Sequence, residues 1–236
     1  MRKAPKGAFG KFIVGESNSR VVEEITQLTS NRIRNSQCIF LKGPHCSGKT
    51  LLINCLLNEY RCNFPQANIV IENCETFACK LIDNINQKKL VANLWPSDCD
   101  VLVIEDVDFL SGKLATQEIL LEMLQQQISK GTLVIITANL NTTFPKAFGS
   151  GKFDCVELVI EEPSYMLRSK IIEAKLRKHK IRVKRRILRR MVSSEMTMSQ
   201  LLGAINSIVF VKTVLKGRIT PRLYERISGQ YKHDNS

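Results

Sequence analysis

Histidine is scarce in this chain of 236 residues, with three in all, and its eight cysteines include no C-x-x-C pair. The common zinc ligands are therefore not spaced to build structural zinc sites, which excludes a zinc protein. No stretch approaches the roughly 18 consecutive apolar residues of a membrane-spanning helix. The charged opening Met1-Arg2-Lys3-Ala4-Pro5-Lys6 is not followed by the apolar run of an export signal. These absences predict a soluble cytoplasmic protein with no membrane partner. In a reducing compartment thiols stay reduced, so most of the cysteines are expected to act as small core hydrophobes. Internal repeats and low-complexity tracts are also missing, and 44% hydrophobic with 24% charged residues excludes disordered, collagen-like and coiled-coil chains. Acidic side chains run short toward the C-terminus. Residues 161–236 hold 18 of the 35 Lys and Arg but only 6 of the 22 Asp and Glu, so almost all of the net charge of +13 belongs there.

What is present is an alternation. Five short β-branched runs, Cys38–Lys42, Asn68–Glu72, Val101–Glu105, Thr132–Thr137 and Cys155–Ile160, are separated by longer stretches. Several of these have helix-forming composition, notably Thr50–Tyr60, Glu75–Leu94 and Thr116–Lys130. The pattern predicts crossover units and an α/β fold with a five-stranded, mostly parallel sheet sandwiched by helices. The unbroken run Val101-Leu102-Val103-Ile104 suits burial on both faces. After Glu162-Pro163 the apolar residues recur at helical spacing, as in Leu167, Ile171, Ala174 and in Leu201, Ile205, Ile208. The chain thus divides into an α/β core over residues 1–160 and a small, basic helical subdomain over residues 161–236. Pro163 is expected in the first turn of the opening helix, and Gly229–Ser236 is expected to fray.

Gly43-Pro44-His45-Cys46-Ser47-Gly48-Lys49-Thr50 reads G-x-x-x-x-G-K-T, directly after the first predicted strand and before a predicted helix. In that setting the loop amides converge on phosphate oxygens, Lys49 reaches the outer phosphates and Thr50 Oγ binds magnesium. Residues 43–50 are therefore the candidate ATP- or ADP-binding loop. Such a site also needs a carboxylate for its Mg²⁺, at the end of an apolar strand next to the loop. Glu105 and Asp106 close the run from Val101, and with Thr50 they are the candidate metal ligands. One carboxylate holds the ion through water while the other, Asp106, orients the attacking water. Asp106 is a methylene shorter than a glutamate there would be. A displacement on the order of 1 Å costs about a hundredfold in rate, so these residues argue for binding ahead of turnover.

Lys11-Phe12-Ile13-Val14-Gly15-Glu16-Ser17-Asn18, the phosphate loop, Val101 to Leu110, Gly112-Lys113 with Thr116-Gln117-Glu118, and Ile135-Ile136-Thr137-Ala138-Asn139 occur in this order. Together they resemble the AAA+ domain of the DnaA family, a P-loop NTPase core with a helical lid, over about Phe9 to Ile227. The resemblance implies that Val14, Gly15 and Asn18 border the adenine and that Asn139 is the first sensor, touching the γ-phosphate or positioning water. The family's basic DNA-reading C-terminal domain has no counterpart in the sequence. That layout is similar to the Hda regulators and implies control of replication initiation through contact with full-length DnaA. Two alternatives stay open, an AAA+ adapter that loads or recruits the replicative helicase and a truncated initiator with nonspecific DNA binding. A small P-loop kinase disagrees with the DnaA-like strings.

Two departures from the family bear on catalysis. Its arginine-finger segment reads Gly151-Lys152-Phe153, so Lys152 would face a neighbouring subunit's nucleotide in any self-association, with charge but without the bidentate fork. The second sensor position falls on Ser199, which carries no cation. Arginine fingers contribute about 10³ to 10⁵ in turnover in GTPases, so a slow ATPase is implied. No Q-L-x-L clamp-binding peptide precedes Phe9, which leaves the sliding clamp unsupported as a partner. Arg177–Arg190 carries nine Lys or Arg among fourteen residues, interleaved with Ile181, Val183, Ile187 and Leu188. It reads either as a salt-dependent contact for nucleic acid or an acidic partner, or as a solvated face pinned by its apolar residues. Having no aromatic, it is not a base-stacking platform. In DnaA-like modules single-stranded DNA is held by the region matching Glu75–Asn93. Lys80, Lys88 and Lys89 lie in that window and are expected to be ordinary surface lysines.

Overall fold

A computed structural model describes residues 12–30, 38–88, 94–140 and 155–232. Five parallel strands, β1 (Cys38–Lys42), β2 (Ile69–Asn73), β3 (Val101–Glu105), β4 (Leu133–Ala138) and β5 (Cys155–Val159), form one sheet in the order β2-β3-β4-β1-β5. The helices of this half are α1 (Ser19–Ser30), α2 (Lys49–Asn63), α3 (Cys74–Asn86) and α4 (Leu114–Ser129), with a 3₁₀ turn at Val107–Leu110. Burial follows position in the sheet. Every residue of β4 and the first four of β3 are buried, whereas the edge strands β2 and β5 each bury one residue, Glu72 and Leu158. Continuous apolar runs thus mark the centre of a parallel sheet and interrupted ones its margins.

Strand limits differ from expectation where a polar side chain is used by the turn before the strand. Thr132 Oγ1 donates to the Cys99 carbonyl at 2.7 Å, so β4 starts one residue later. Asn68 N–H donates to the Asp100 carboxylate at 2.7 Å, which shifts β2 to Ile69–Asn73. Helix α3 ends at Asn86, short of the expected Leu94, and residues 89–93 lie outside the described set.

By its contacts the chain separates into two compact units, one of residues 1–12, 21–44 and 48–160, the other of residues 13–20, 45–47 and 161–236. In the first, Phe77 and Leu81 of α3 and Leu120 and Leu124 of α4 pack on Leu102, Ile104, Val134 and Ile136. In the second, α5 (Tyr165–Lys178), α6 (Arg185–Val192), α7 (Met198–Thr213) and α8 (Pro221–Lys232) share a core built on Ile172, Ile187, Met191, Leu201, Ile205, Ile208 and Tyr224. Two expectations are corrected here. Pro163 precedes the first turn of α5, because Ser164 is the cap and its hydroxyl accepts from Leu167 N–H. Of the tail expected to fray from Gly229, residues 229–232 belong to α8, whose Tyr224 and Ile227 are buried, and residues 233–236 lie outside the described residues. Among the described residues no helix is long and apolar enough to cross a membrane.

The cysteines also depart from expectation. Register sets Cys38 of β1 opposite Cys155 of β5, and the two form a disulfide. Cys55, Cys74 and Cys99 are free and buried, while Cys46, Cys62 and Cys79 are exposed. Fewer than half of the eight are therefore free thiols in a core.

The buried residue of β2 is a charge, and it is fully engaged. Glu72 accepts from Trp95 Nε1 and pairs with Lys80, and the Trp95 ring is stacked on Phe77 at 5.3 Å. Lys80 is thus an ion-pair partner of the core. Trp95→Phe keeps the ring but leaves a Glu72 oxygen without its donor, and should cost about 1–3 kcal/mol in urea unfolding followed by circular dichroism. In the folded protein a thiol reagent should modify Cys46, Cys62 and Cys79, reach Cys55, Cys74 and Cys99 only after denaturation, and reach Cys38 and Cys155 only after reduction. Mass spectrometry of the digests checks each class.

Candidate nucleotide-binding site

Register sets the ends of four strands level. Asn73 of β2 is opposite Glu105 of β3, Ile104 is opposite Ile136 of β4, and Lys42 of β1 is opposite Ala138. The phosphate loop leaves β1 and the carboxylates leave β3, both at the carboxyl edge, where open parallel sheets bind ligands. The carboxylate strand was expected beside the loop strand. Instead β4, formed later in the chain, inserts between them, because crossover connections need not place successive strands side by side. Asn139, directly after β4, therefore stands between the loop strand and the carboxylate strand.

The loop is shaped for an anion. Cys46 and Gly48 both have left-handed backbones, with φ of 61° and 101°, a conformation that suits the glycine and is uncommon for the cysteine. Helix α2 starts at Lys49 with no side-chain cap, so the amides of its first turn are offered to a ligand. Lys49 is buried, and its ammonium donates to the carbonyls of Gly43 at 2.7 Å and Pro44 at 2.9 Å. Ser47 Oγ is buried without a hydrogen-bond partner among the described residues. Thr50 is exposed. A cation, an orphaned hydroxyl and an uncapped helix start fit a phosphate group.

The carboxylate turn is tied to the strands on both sides. Asp106 is left-handed, φ 57°, and exposed; its N–H donates to Thr137 Oγ1 at 3.0 Å and its carboxylate accepts from Asn73 Nδ2 at 3.3 Å. Asn73 also caps α3 by accepting from Glu75 N–H. Two residues on, Asp108 accepts twice from Asn139, from the backbone N–H at 3.1 Å and from Nδ2 at 2.8 Å. Cys74, behind this group, has its thiol pushed up to about 12, by burial first and then by the charges of Asp108 and Glu72.

In the second unit, Asn18 is buried and folds onto its own segment, accepting from Gly15 N–H at 2.8 Å and donating to the Ile13 carbonyl at 3.1 Å. A Cβ on Gly15 would lie 3.1 Å from Leu167 Cβ, so the strip from Ile13 to Asn18 lies close against α5 and a side chain at position 15 would press Leu167 aside by a few tenths of an ångström. Val14 is half-buried in this strip.

A family model described as the bacterial DnaA ATPase domain matches residues 4–147. The chain belongs to this family. DnaA of Desulfotalea psychrophila is 25% identical over 181 residues, which are 72% of this chain and 37% of that protein. DnaA of Oleidesulfovibrio alaskensis, also 25% identical, is matched over 95% of this chain and 50% of its own length. The chain therefore spans between about a third and a half of these relatives. Among solved structures, domain III of Thermotoga maritima DnaA superposes with a TM-score of 0.82 at 21% identity, covering 93% of this chain and 94% of that one. AMPPCP-bound DnaA from Aquifex aeolicus gives 0.70 at 20% identity over 89% and 68%. The fold is that of an AAA+ P-loop NTPase.

Several positions singled out in this DnaA-family chain fall elsewhere. Lys152, residues 1–11 and Lys89 lie outside the described residues. Ser199 is exposed in the first turn of α7, which is fixed by a capping box between Thr197 and Gln200. Lys175 of α5 is a lid cation that motif reading passed over. Burial lowers its pKa, and the field of Cys46 in the loop partly restores it. Asp108 and Asn73 were missed as well. The third acid of Glu105-Asp106-Val107-Asp108 was a legible signal for the first, and an asparagine between a strand and a helix, where caps occur, for the second. Asp108→Ala removes both acceptors from Asn139. The Asn139 amide should then exchange with solvent about ten- to a hundredfold faster in native-state hydrogen exchange, at a stability cost of about 1–3 kcal/mol.

Proposed function

We propose that this chain binds ATP or ADP with Mg²⁺ and regulates initiation of chromosomal replication, as a DnaA-like AAA+ module that contacts full-length DnaA in the manner of the Hda regulators. The observation that carries the reading is the phosphate loop, with Lys49, the unpartnered Ser47 hydroxyl and the uncapped start of α2 all at the carboxyl end of β1. The backbone N–H groups from His45 to Gly48 wrap the phosphates, Gly43 and Pro44 carry the chain from β1 into the loop, with the Gly43 N–H donating to the Ala138 carbonyl, and Lys49 trades its carbonyl partners for phosphate oxygens. Thr50, Glu105 and Asp106 hold the magnesium ion, which when bound neutralises phosphate charge. The strip Val14, Gly15 and Asn18 borders the base, with Asn18 keeping the strip in shape.

Asp106 and Asn139 orient the attacking water, and each is held by a neighbour, Asn73 and Asp108. Hydrolysis is slow in this reading, because the second sensor position is Ser199 and the finger position is Lys152, which serves a neighbouring subunit's site. The nucleotide then acts as a switch of partner binding more than as fuel.

Lys49→Ala should lower affinity for a fluorescent ATP analogue by at least about thirtyfold, the cost of removing a buried cation from an anion. The parent protein should carry bound or readily exchanged adenine nucleotide. Equal affinity in both forms would sink the assignment. Pull-down of full-length DnaA, sliding clamp and replicative helicase with the ATP-loaded chain separates the regulator, which retains DnaA, from the helicase adapter.

A further inference from the structure

The helical unit has an open cleft of about 760 Å³ that the nucleotide site does not use, lined by Glu173, Leu176, Arg177, Lys180, Ile181, Arg182, Val183 and Leu188. Its floor is aliphatic. Leu176 and Ile181 are buried in the core of the unit, and Val183 and Leu188 pack against that core with part of their surface left in the cleft. Its rim is cationic, with Arg177, Lys180 and Arg182 exposed and in no ion pair or side-chain hydrogen bond among the described residues. The turn that places them is well defined. Ile181 N–H donates to the Leu176 carbonyl at 2.9 Å and Lys180 N–H to Arg177 at 2.9 Å, so Ile181 points into the core while its two basic neighbours stay outside. Farther along the same basic segment, Arg190 is already paired with Glu225.

We propose that this cleft docks an acidic segment of a partner protein through an aliphatic side chain flanked by carboxylates. Charge complementarity selects an anion, since three cations face one rim acid, Glu173. The floor decides which kind. No aromatic lines the cleft on which a nucleotide base would stack, so a nucleic acid would gain from the cations alone. An apolar side chain, in contrast, is buried against the concave aliphatic surface, and an apolar floor inside a polar rim is the usual anatomy of a protein-docking site. Glu173 repels a phosphate backbone but accepts from a peptide N–H.

The test uses the whole chain and fluorescence anisotropy. The probes are a labelled peptide of alternating glutamate and leucine, its leucine-to-serine analogue, and a labelled single-stranded DNA of equal charge. The leucine peptide should bind at least about tenfold more tightly than the serine analogue and the DNA. The pair Arg177→Glu with Arg182→Glu should weaken it by at least about tenfold, while Arg185→Glu with Arg189→Glu, on exposed positions of α6 and changing the net charge equally, should leave it nearly unchanged. No binding of the leucine peptide overturns the proposal. So does equal affinity for the two peptides, tighter binding of the DNA, or equal loss in both charge-reversed pairs.

Discussion

The carboxyl edge of the sheet depends on two side chains that accept from the residues around them, Asp106 from Asn73 and Asp108 from Asn139. With the donation from Asp106 N–H to Thr137, they lash the ends of β2, β3 and β4 together across a turn whose backbone is left-handed. A parallel sheet supplies no hairpins at this edge, so nothing in its ladder fixes how the chain leaves each strand. Side chains must do so. Without them the register would still level the strand ends, but the carboxylates and the residue after β4 would be free to take separate directions.

On the other side of β4 the phosphate loop is organised differently. Its lysine is held by carbonyls of its own loop, and its helix begins without a cap. The carboxylate side of the edge is thus tied by side chains across strands, whereas on the loop side the Ser47 hydroxyl and the first turn of α2 are left without side-chain partners among the described residues.

Much of this was legible from residue order, for reasons that differ by element. The central strands were plain because Val101–Ile104 and Leu133–Ala138 are buried on both faces and so carry unbroken apolar runs. The loop was plain because phosphate binding demands glycine, lysine and threonine at fixed spacing. Strand order was not, since insertion of β4 between β1 and β3 is a choice of crossover that spacing does not reveal. The Cys38–Cys155 bridge was hidden for the same cause, because it follows from β1 and β5 being neighbours. Asn73 and Asp108 escaped because polar residues at strand ends are common, and only the register shows which of them meet.

The single tryptophan of the chain is buried against Phe77 and gives its indole hydrogen to Glu72, one residue before Asn73. Its emission is therefore a one-site optical reporter for the edge strand that supports Asp106. Excitation at the red edge of the indole band, where the four tyrosines do not absorb, reads the surroundings of Trp95, so a partner or nucleotide that disturbs the Glu72 and Phe77 contacts announces itself without any dye.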